Sequence, residues 1–173
     1  MTALDVFVLE MEKQRRSSWF YHFTAADNVP GILTDGLLSK QILDSLEVPY
    51  LGSGSQQSRT SDFQSGVNDY VSLSFTPDHP MQQAVKRENR VGPMKTIKVH
   101  PYVVVLDEVV FCEGMANAKD AEFWKLPDAI KKGLIDFEAL YDESASVSAE
   151  RLDKVTKYEL LVLNCIPPKF LQR

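Results

Sequence analysis

The sequence predicts an α+β fold built on a largely antiparallel or mixed sheet. Strand-like segments dominate after the first third of the chain, and they do not alternate regularly with helices as they do in a doubly wound sheet. Residues 69–75 alternate polar and apolar side chains with the period of two that is typical of a half-buried strand. The glycine fingerprint of dinucleotide-binding parallel sheets is absent, because Gln57 stands where a third glycine should follow Gly52 and Gly54. These observations argue against a Rossmann-type sheet.

Length and composition indicate one folded domain, which we expect to span residues 1–173. The chain is 44% hydrophobic and 25% charged, as in ordinary globular proteins. Its net charge of -5 argues against a protein that holds duplex nucleic acid mainly by bulk electrostatics. The two cysteines and three histidines are scattered without metal-ligand spacing, so we expect no metal site and a reducing, cytoplasmic location. No segment has the length and apolar character of a membrane span.

The first third of the chain is predicted to contain a helix, an aromatic strand and a second helix. Apolar residues recur through residues 3–15 at helical spacing, and the basic residues that follow favour the C-terminal end of a helix. Residues 18–23 are predicted to form the strand, in which His22 lies on the face opposite its immediate neighbours. The second helix is expected to be short and to end at Gly36.

The rest of the chain is predicted to hold a long loop followed mainly by strands. Residues 50–68 are rich in Gly, Ser and Gln, and a loop of this length inside a compact domain is usually either functional or disordered. The predicted strands are 69–75, 95–99, 102–106, 109–112 and 157–164, and the predicted helices are 81–87, 119–132 and 136–141, with Pro127 interrupting the second of these.

Polar residues gather where the aromatic strand meets the second helix. His22 is a candidate ligand contact, although a lone histidine in such a strand is also compatible with a hydrogen-bonded packing role. Thr24 and Asp27 follow it, and either could cap the helix by accepting a backbone hydrogen bond. An imidazole and several polar groups at one junction are typical of a binding site.

Glu159 enters a strand that is otherwise apolar on both faces. A carboxylate at such a position lies near buried surface, where an unpaired charge is costly. One interpretation pairs it with Lys157 or Lys154 at the start of the strand. The other places it at a cleft, where it would stabilise a developing cation or orient a sugar hydroxyl. The residues alone leave both interpretations open.

Arg59 and the strand after it offer further candidates. Arg59 has no other basic residue near it in the sequence. It is either solvated or held at a cleft, where a guanidinium group would bind a phosphate or the edge of a nucleobase. Tyr70, Ser72 and Ser74 share one face of their strand. That face is either exposed to solvent or the wall of a ligand groove.

A series of short motifs runs in a fixed order along roughly residues 19–168. In chain order these are Tyr21-His22-Phe23-Thr24 with Asp27-Asn28, Ile32-Leu33 before Gly36-Leu37-Leu38, Arg59 in the polar loop, Asp69-Tyr70-Val71, Phe75 followed by Pro80-Met81, Val110-Phe111 with Glu113-Gly114, and Glu159-Leu160-Leu161-Val162. Each motif is short, and their combined order is more specific than any one of them. In this order they resemble the DarT family, the ADP-ribosyltransferase toxins of DarTG toxin–antitoxin systems, which attach ADP-ribose from NAD to a base in single-stranded DNA.

The resemblance implies the ADP-ribosyltransferase (PARP-like) fold, a split mixed or antiparallel sheet that holds NAD as co-substrate in an extended groove. It implies two catalytic residues, Glu159 as the catalytic glutamate and Arg59, which would contact NAD or the acceptor base. By the same likeness, the residues that bind NAD or line its nicotinamide side are His22, Thr24, Asn28, Tyr70 and Ser74.

The resemblance also implies partners. The acceptor would be single-stranded DNA, and a DarG-like macrodomain antitoxin would remove ADP-ribose from it in a toxin–antitoxin or phage-defence system. Two alternatives stay open. One is an ADP-ribosyltransferase that acts on RNA or on a protein side chain, and the other is a catalytically inert module that keeps the NAD groove or only the fold.

Overall fold

A computed structural model of the chain describes residues 2–13, 19–52, 66–88, 91–141 and 146–172. The helices are α1 (Ala3–Lys13), α2 (Val29–Asp35), α3 (Lys40–Ser45), α4 (Pro80–Arg87), α5 (Leu126–Lys131), α6 (Phe137–Tyr141) and α7 (Ala149–Val155). The strands are β1 (Phe20–Ala25), β2 (Leu37–Leu38), β3 (Tyr70–Ser74), β4 (Met94–Val99), β5 (Val109–Cys112), β6 (Phe123–Lys125), β7 (Glu159–Leu163) and β8 (Cys165–Ile166). Short 3-10 helices lie at Ala26–Asn28, Val67–Asp69, Pro101–Val105 and Pro168–Phe170.

Six strands form the main sheet in the order β4-β1-β3-β7-β5-β6. Every neighbouring pair in it is antiparallel. Strands β2 and β8 form a separate antiparallel pair, in which Leu37 lies opposite Ile166. The predicted α+β fold with a largely antiparallel sheet is therefore confirmed.

The main hydrophobic core is centred on a chain of aromatic rings. Phe20 of β1 packs edge-on against Phe75, with ring centroids 5.0 Å apart. Phe75 contacts Phe111, and Phe111 in turn contacts Tyr158 with a centroid distance of 5.1 Å. Helix α1 adds Phe7, which is buried and lies 6.3 Å from the ring of Phe20. Helix α1 thus contributes directly to the core.

The longest helix in the described ranges is α1, with 11 residues. A helix that spans a bilayer needs about 20 residues. Among the residues that the structure describes, no helix is both long and apolar enough to cross a membrane.

The prediction of a strand over residues 102–106 is wrong. These residues lie in the 3-10 helix Pro101–Val105 and the residue after it. The ring nitrogen Nδ1 of His100 accepts a hydrogen bond of 3.2 Å from the backbone N–H of Tyr102 and so caps this helix. A run of valines favours a strand by propensity, but the capping histidine and the fixed φ of Pro101 start a helical turn instead.

The prediction of one helix over residues 119–132 is also partly wrong. Strand β6 occupies the middle of this segment and pairs with β5, and helix α5 begins only at Leu126. Pro127 lies in the first turn of α5, where a missing N–H is tolerated, and does not interrupt a longer helix. The pairing of β6 with β5 is a tertiary contact that a local sequence pattern does not contain.

Gly36 connects α2 to β2 in a backbone conformation that other residues rarely adopt. Its φ is 93° and its ψ is 179°, a region that is nearly exclusive to glycine. A Cβ atom at this position would overlap the carbonyl oxygen of Ile166 on β8. The absence of a side chain therefore permits β2 and β8 to approach each other.

Replacing Gly36 with alanine is expected to lower the free energy of unfolding by about 2–3 kcal/mol, because backbone strain and the overlap with β8 act together. Urea denaturation measures the change. Gly31→Ala in α2 is the matched control, since a Cβ atom there meets nothing within 4 Å, and we expect its stability to equal or slightly exceed that of the wild type. Wild-type stability in Gly36→Ala would contradict this account of the turn.

Candidate active site

The main sheet is split between β1 and β3. Strand β1 pairs with β4 along its whole length, and β3 does the same with β7. Between β1 and β3, in contrast, the structure shows a single residue pair, Tyr21 opposite Ser74. His22 follows this pair and spans the opening, with its Nδ1 atom 3.0 Å from the carbonyl oxygen of Ser72. The split sheet that the resemblance implies is present, and His22 lies at the point where the strands separate.

The hydrogen bond to Ser72 fixes the tautomer of His22. A carbonyl oxygen can only accept, so Nδ1 carries the proton and Nε2 of the neutral ring is left as an acceptor. Burial lowers the pKa of His22 below its ordinary value of 6.5, and the positive charge of Lys40 lowers it further, while the hydrogen bond to Ser72 opposes this shift. The ring is therefore neutral at pH 7.

Glu159 is the first residue of β7 and lies in the sheet opposite Ser74 on one side and Cys112 on the other. The residue is 8% exposed. Oε2 accepts a hydrogen bond of 3.1 Å from the hydroxyl group of Ser72 and one of 3.2 Å from the backbone N–H of Ala116. Oε1 lies 3.2 Å from Nε2 of His79. Two hydrogen bonds therefore fix Oε2 of the carboxylate, and the ring of His79 lies beside Oε1.

The structure contradicts the interpretation of Glu159 as a strand-entry partner of a lysine. Lys157 pairs with Asp153 at 2.6 Å, and Lys154 pairs with Glu113 at 2.6 Å. Glu159 instead faces a cavity. Of the two interpretations left open by the sequence, the geometry favours the placement at a cleft.

Two adjoining cavities make up this cleft. The first has a volume of about 170 Å³ and is lined by residues that include Glu159 and Tyr70. The second has a volume of about 380 Å³ and extends toward α2 and α3. His22 and Lys40 line both cavities, so they lie where the two meet. The result is an elongated groove with a carboxylate in one half.

Tyr70 and Ser74 lie in the wall of the first cavity. Tyr70 is half-buried, and burial raises the pKa of its hydroxyl group, as do the negative charges of Glu108 and Asp69. The hydroxyl group of Ser74 is engaged locally, since it donates to the carbonyl oxygen of Thr76 at 2.7 Å and accepts from the backbone N–H of Thr76 at 3.2 Å. Tyr70 is thus the more available of the two for a ligand.

Thr24 and Asn28 lie in the wall of the second cavity and bond to each other. The Asn28 amide donates to the hydroxyl oxygen of Thr24 and to the carbonyl oxygen of Leu51, and its own oxygen accepts from the backbone N–H of Leu51, each at 3.0 Å. Neither Thr24 nor Asp27 caps α2 or the 3-10 helix before it with a side-chain hydrogen bond. The capping interpretation is therefore wrong, and Asn28 anchors the start of the polar loop.

Arg59 lies outside the described residues, so its predicted role stays a prediction. In the described ranges, no group of three or more His, Cys, Asp or Glu side chains is placed to hold a metal ion.

Sequence reasoning missed two groups that contact Glu159. One is His79, which is 1% exposed. Its only local signal in the sequence is its position before Pro80 at the start of a helix. There its Nδ1 accepts a hydrogen bond of 3.3 Å from the backbone N–H of Met81. Ala116 contributes a backbone N–H, which no side-chain pattern can reveal.

Asn28→Ala is expected to release Leu51 from the 3-10 helix that precedes α2 and to increase hydrogen exchange at the Leu51 amide at least about tenfold, because both hydrogen bonds to that residue are lost. Exchange followed by NMR measures the effect. The neighbouring exposed Asp27→Ala is the control, for which we expect unchanged exchange at Leu51. Equal exchange in both variants would show that Asn28 does not anchor the loop.

His22 is expected to titrate below pH 6.5 in the folded protein and to carry its proton on Nδ1. Because the folded state disfavours the charged ring, His22 contributes stability that is present above the unfolded-state pKa and is lost as the pH falls below it. Nitrogen chemical shifts across a pH series report both properties, with His22→Ala identifying the signals. A neutral ring protonated on Nε2 would contradict the assignment.

Comparison with known proteins gives one family match. A family model described as the ssDNA thymidine ADP-ribosyltransferase DarT matches residues 21–173. No match was found among curated protein sequences.

Three similar solved structures have the same fold. Thermosipho africanus DarTG in complex with ADP-ribose is 18% identical, with a TM-score of 0.66 over 89% of this chain and 42% of that chain. Thermus sp. 2.9 DarT in complex with ADP-ribosylated ssDNA is 20% identical, with a TM-score of 0.65 over 87% of this chain and 77% of that chain. The same protein in complex with NAD+ is 19% identical, with a TM-score of 0.60 over 92% of this chain and 82% of that chain.

The present chain therefore spans less than half the length of the Thermosipho africanus chain, and more than three quarters of the Thermus chains. The structural likeness confirms the predicted fold. Since the family model matches nearly the whole sequence, the chain belongs to the DarT family of single-stranded DNA thymidine ADP-ribosyltransferases.

Proposed function

We propose that this chain carries out the DarT reaction in the groove between β1 and β3. In this proposal, ADP-ribose passes from NAD to a thymine base of single-stranded DNA, and nicotinamide is released. The proposal rests on the buried carboxylate of Glu159, which accepts hydrogen bonds from Ser72 and Ala116, lies beside the ring of His79 and faces one half of an elongated groove.

Glu159 has the chemistry that this transfer needs. When the bond between C1′ of the ribose and the nicotinamide nitrogen breaks, the electron pair leaves with nicotinamide and positive charge builds on the sugar. A fixed carboxylate beside that carbon stabilises the charge with little reorganisation. The only N–H group of a thymine base in DNA then bonds through nitrogen to C1′, and its proton passes to Glu159 as general base.

The shape of the groove fits a dinucleotide. We place the nicotinamide ribose in the cavity lined by Glu159 and Tyr70, and the adenosine half in the larger cavity beside α2 and α3. Lys40 lines both cavities, so its positive charge suits the pyrophosphate between the two halves. The neutral His22, with Nε2 as an acceptor, suits a ribose hydroxyl group at the same junction.

The other predicted site residues take less direct roles in this proposal. Thr24 and Asn28 shape the adenosine side and hold the polar loop at Leu51, and Ser74 contributes to the wall beside Glu159. Arg59 remains a proposed contact to NAD or to the acceptor base, supported only by its place in the sequence.

We further propose that residues 1–173 act as one domain in the cytoplasm, opposed by a macrodomain antitoxin. Helix α1 precedes the range matched by the family model, yet its Phe7, Val8 and Met11 are buried in the main core, which supports one domain. Cys112 and Cys165 are both free thiols, as expected in a reducing compartment. The similarity to a protein described as DarTG supports a DarG-like partner.

Glu159→Gln is expected to reduce the transfer of ADP-ribose to a thymine-containing single-stranded oligonucleotide by about a thousandfold, since it removes both the charge and the base. NAD binding should change little. The matched control is Glu138→Gln, which removes a surface carboxylate that pairs with Arg151 at 2.6 Å, and we expect it to retain wild-type activity.

Mass spectrometry of the oligonucleotide and nicotinamide release provide the readouts. RNA, a thymine-free oligonucleotide and protein serve as alternative acceptors. Equal nicotinamide release by wild type and Glu159→Gln would favour an inert module, and labelling confined to protein or RNA would reject DNA as the acceptor.

A further inference from the structure

His79 reaches Glu159 from outside the strands of the sheet. It is the N-cap residue of α4, and its ring is 1% exposed. The ring of Phe23 stacks against it with centroids 5.7 Å apart and planes inclined by 29°. Its Nε2 atom lies 3.2 Å from Oε1 of Glu159. A buried ring with contacts on its face and at both nitrogens has little freedom to move.

The capping interaction decides which nitrogen of His79 carries the proton. Nδ1 accepts a hydrogen bond from the backbone N–H of Met81, so Nδ1 must present its lone pair. A doubly protonated ring could not accept this bond. The capped ring is therefore neutral, with its single N–H on Nε2, which lies beside Oε1 of Glu159.

The two oxygens of Glu159 differ in how many acceptor positions remain for a substrate. A carboxylate has about four acceptor positions, two on each oxygen. Ser72 and Ala116 take both positions of Oε2. His79 lies beside Oε1, which keeps one position for a substrate group. Oε1 is thus the oxygen that can act, and His79 is the group that lies against it.

We infer that His79 is a positioning residue, which orients Oε1 of Glu159 toward the substrate by donating its Nε2–H. This inference rests on the function proposed for Glu159. The present alignment falls short of a hydrogen bond, and contacts of this kind commonly tighten only when substrate is bound. Helix α4 thereby fixes the reactive carboxylate through its own N-terminal cap.

Two substitutions separate the cap from the contact with Glu159. In His79→Asn, the side-chain oxygen lies near the position of Nδ1 and can still cap α4, but no donor reaches Glu159. In His79→Gln, the longer side chain can place its amide N–H near the position of Nε2, while the cap is weakened. His79→Asn therefore keeps the helix cap and loses the contact with Glu159. His79→Gln weakens the cap and keeps a donor beside Glu159.

The chain supplies its own control. His100 also precedes a proline and also caps a helix through Nδ1, at 3.2 Å from the backbone N–H of Tyr102. It lines neither cavity of the groove. His100→Asn therefore repeats the same substitution at the same kind of cap, away from Glu159.

The experiment measures kcat and KM for NAD with a thymine-containing oligonucleotide, together with Tm. His79→Asn is expected to lower kcat by about tenfold to a hundredfold with KM for NAD nearly unchanged, and to lower Tm only through the lost packing against Phe23. His79→Gln should keep kcat within about threefold of the wild type and lower Tm by about 2–4 °C. His100→Asn should match the wild type in kcat.

Wild-type kcat in His79→Asn would overturn the inference. An equal loss of kcat in His79→Asn and His79→Gln would also overturn it, because the ring and not its N–H group would then matter. A rise in KM for NAD without a fall in kcat would do the same. These outcomes concern His79 alone. Failure of the proposed function itself would appear separately, as equal activity of wild type and Glu159→Gln.

Discussion

The placement of one carboxylate at the start of a central strand governs the chemistry of this molecule. Glu159 begins β7, which pairs on both sides with other strands of the sheet. A charge this well buried is tolerated only when hydrogen-bond donors surround it. Ser72 in a strand and Ala116 in a loop supply these donors, and the ring of His79 at the start of a helix lies 3.2 Å from the other oxygen. The same hydrogen-bond donors therefore stabilise the buried charge in the folded protein and hold the carboxylate in the active site.

The split between β1 and β3 provides the space that this carboxylate faces. A continuous antiparallel pairing of the two strands would occupy their backbone groups with each other and close the sheet. In the observed arrangement, His22 uses its Nδ1–H to bond to the Ser72 carbonyl oxygen across the gap. Ser72 of β3 thus contacts residues on both sides of the strand. Its carbonyl oxygen accepts a hydrogen bond from His22, and its hydroxyl group donates one to Glu159.

The helices connect the groove to the rest of the fold. Gly36 permits β2 to pair with β8 beside the larger cavity. Asn28 ties the start of the polar loop to the region of α2. His79 links the first turn of α4 to Glu159. Each of these contacts joins segments that are distant in sequence, so the geometry of the groove depends on the completed fold.

The sequence by itself determined the α+β class, most strands of the main sheet and two central site residues, His22 and Glu159. These features follow from local patterns: alternation in 69–75, an aromatic strand, and one carboxylate in an apolar segment. Only the tertiary structure decided that 102–106 is helical, that β6 exists, and that His79 and the N–H of Ala116 meet Glu159. Propensity and periodicity describe neighbours along the chain, whereas a strand pairing or a buried hydrogen bond depends on which distant segments the folded core brings together.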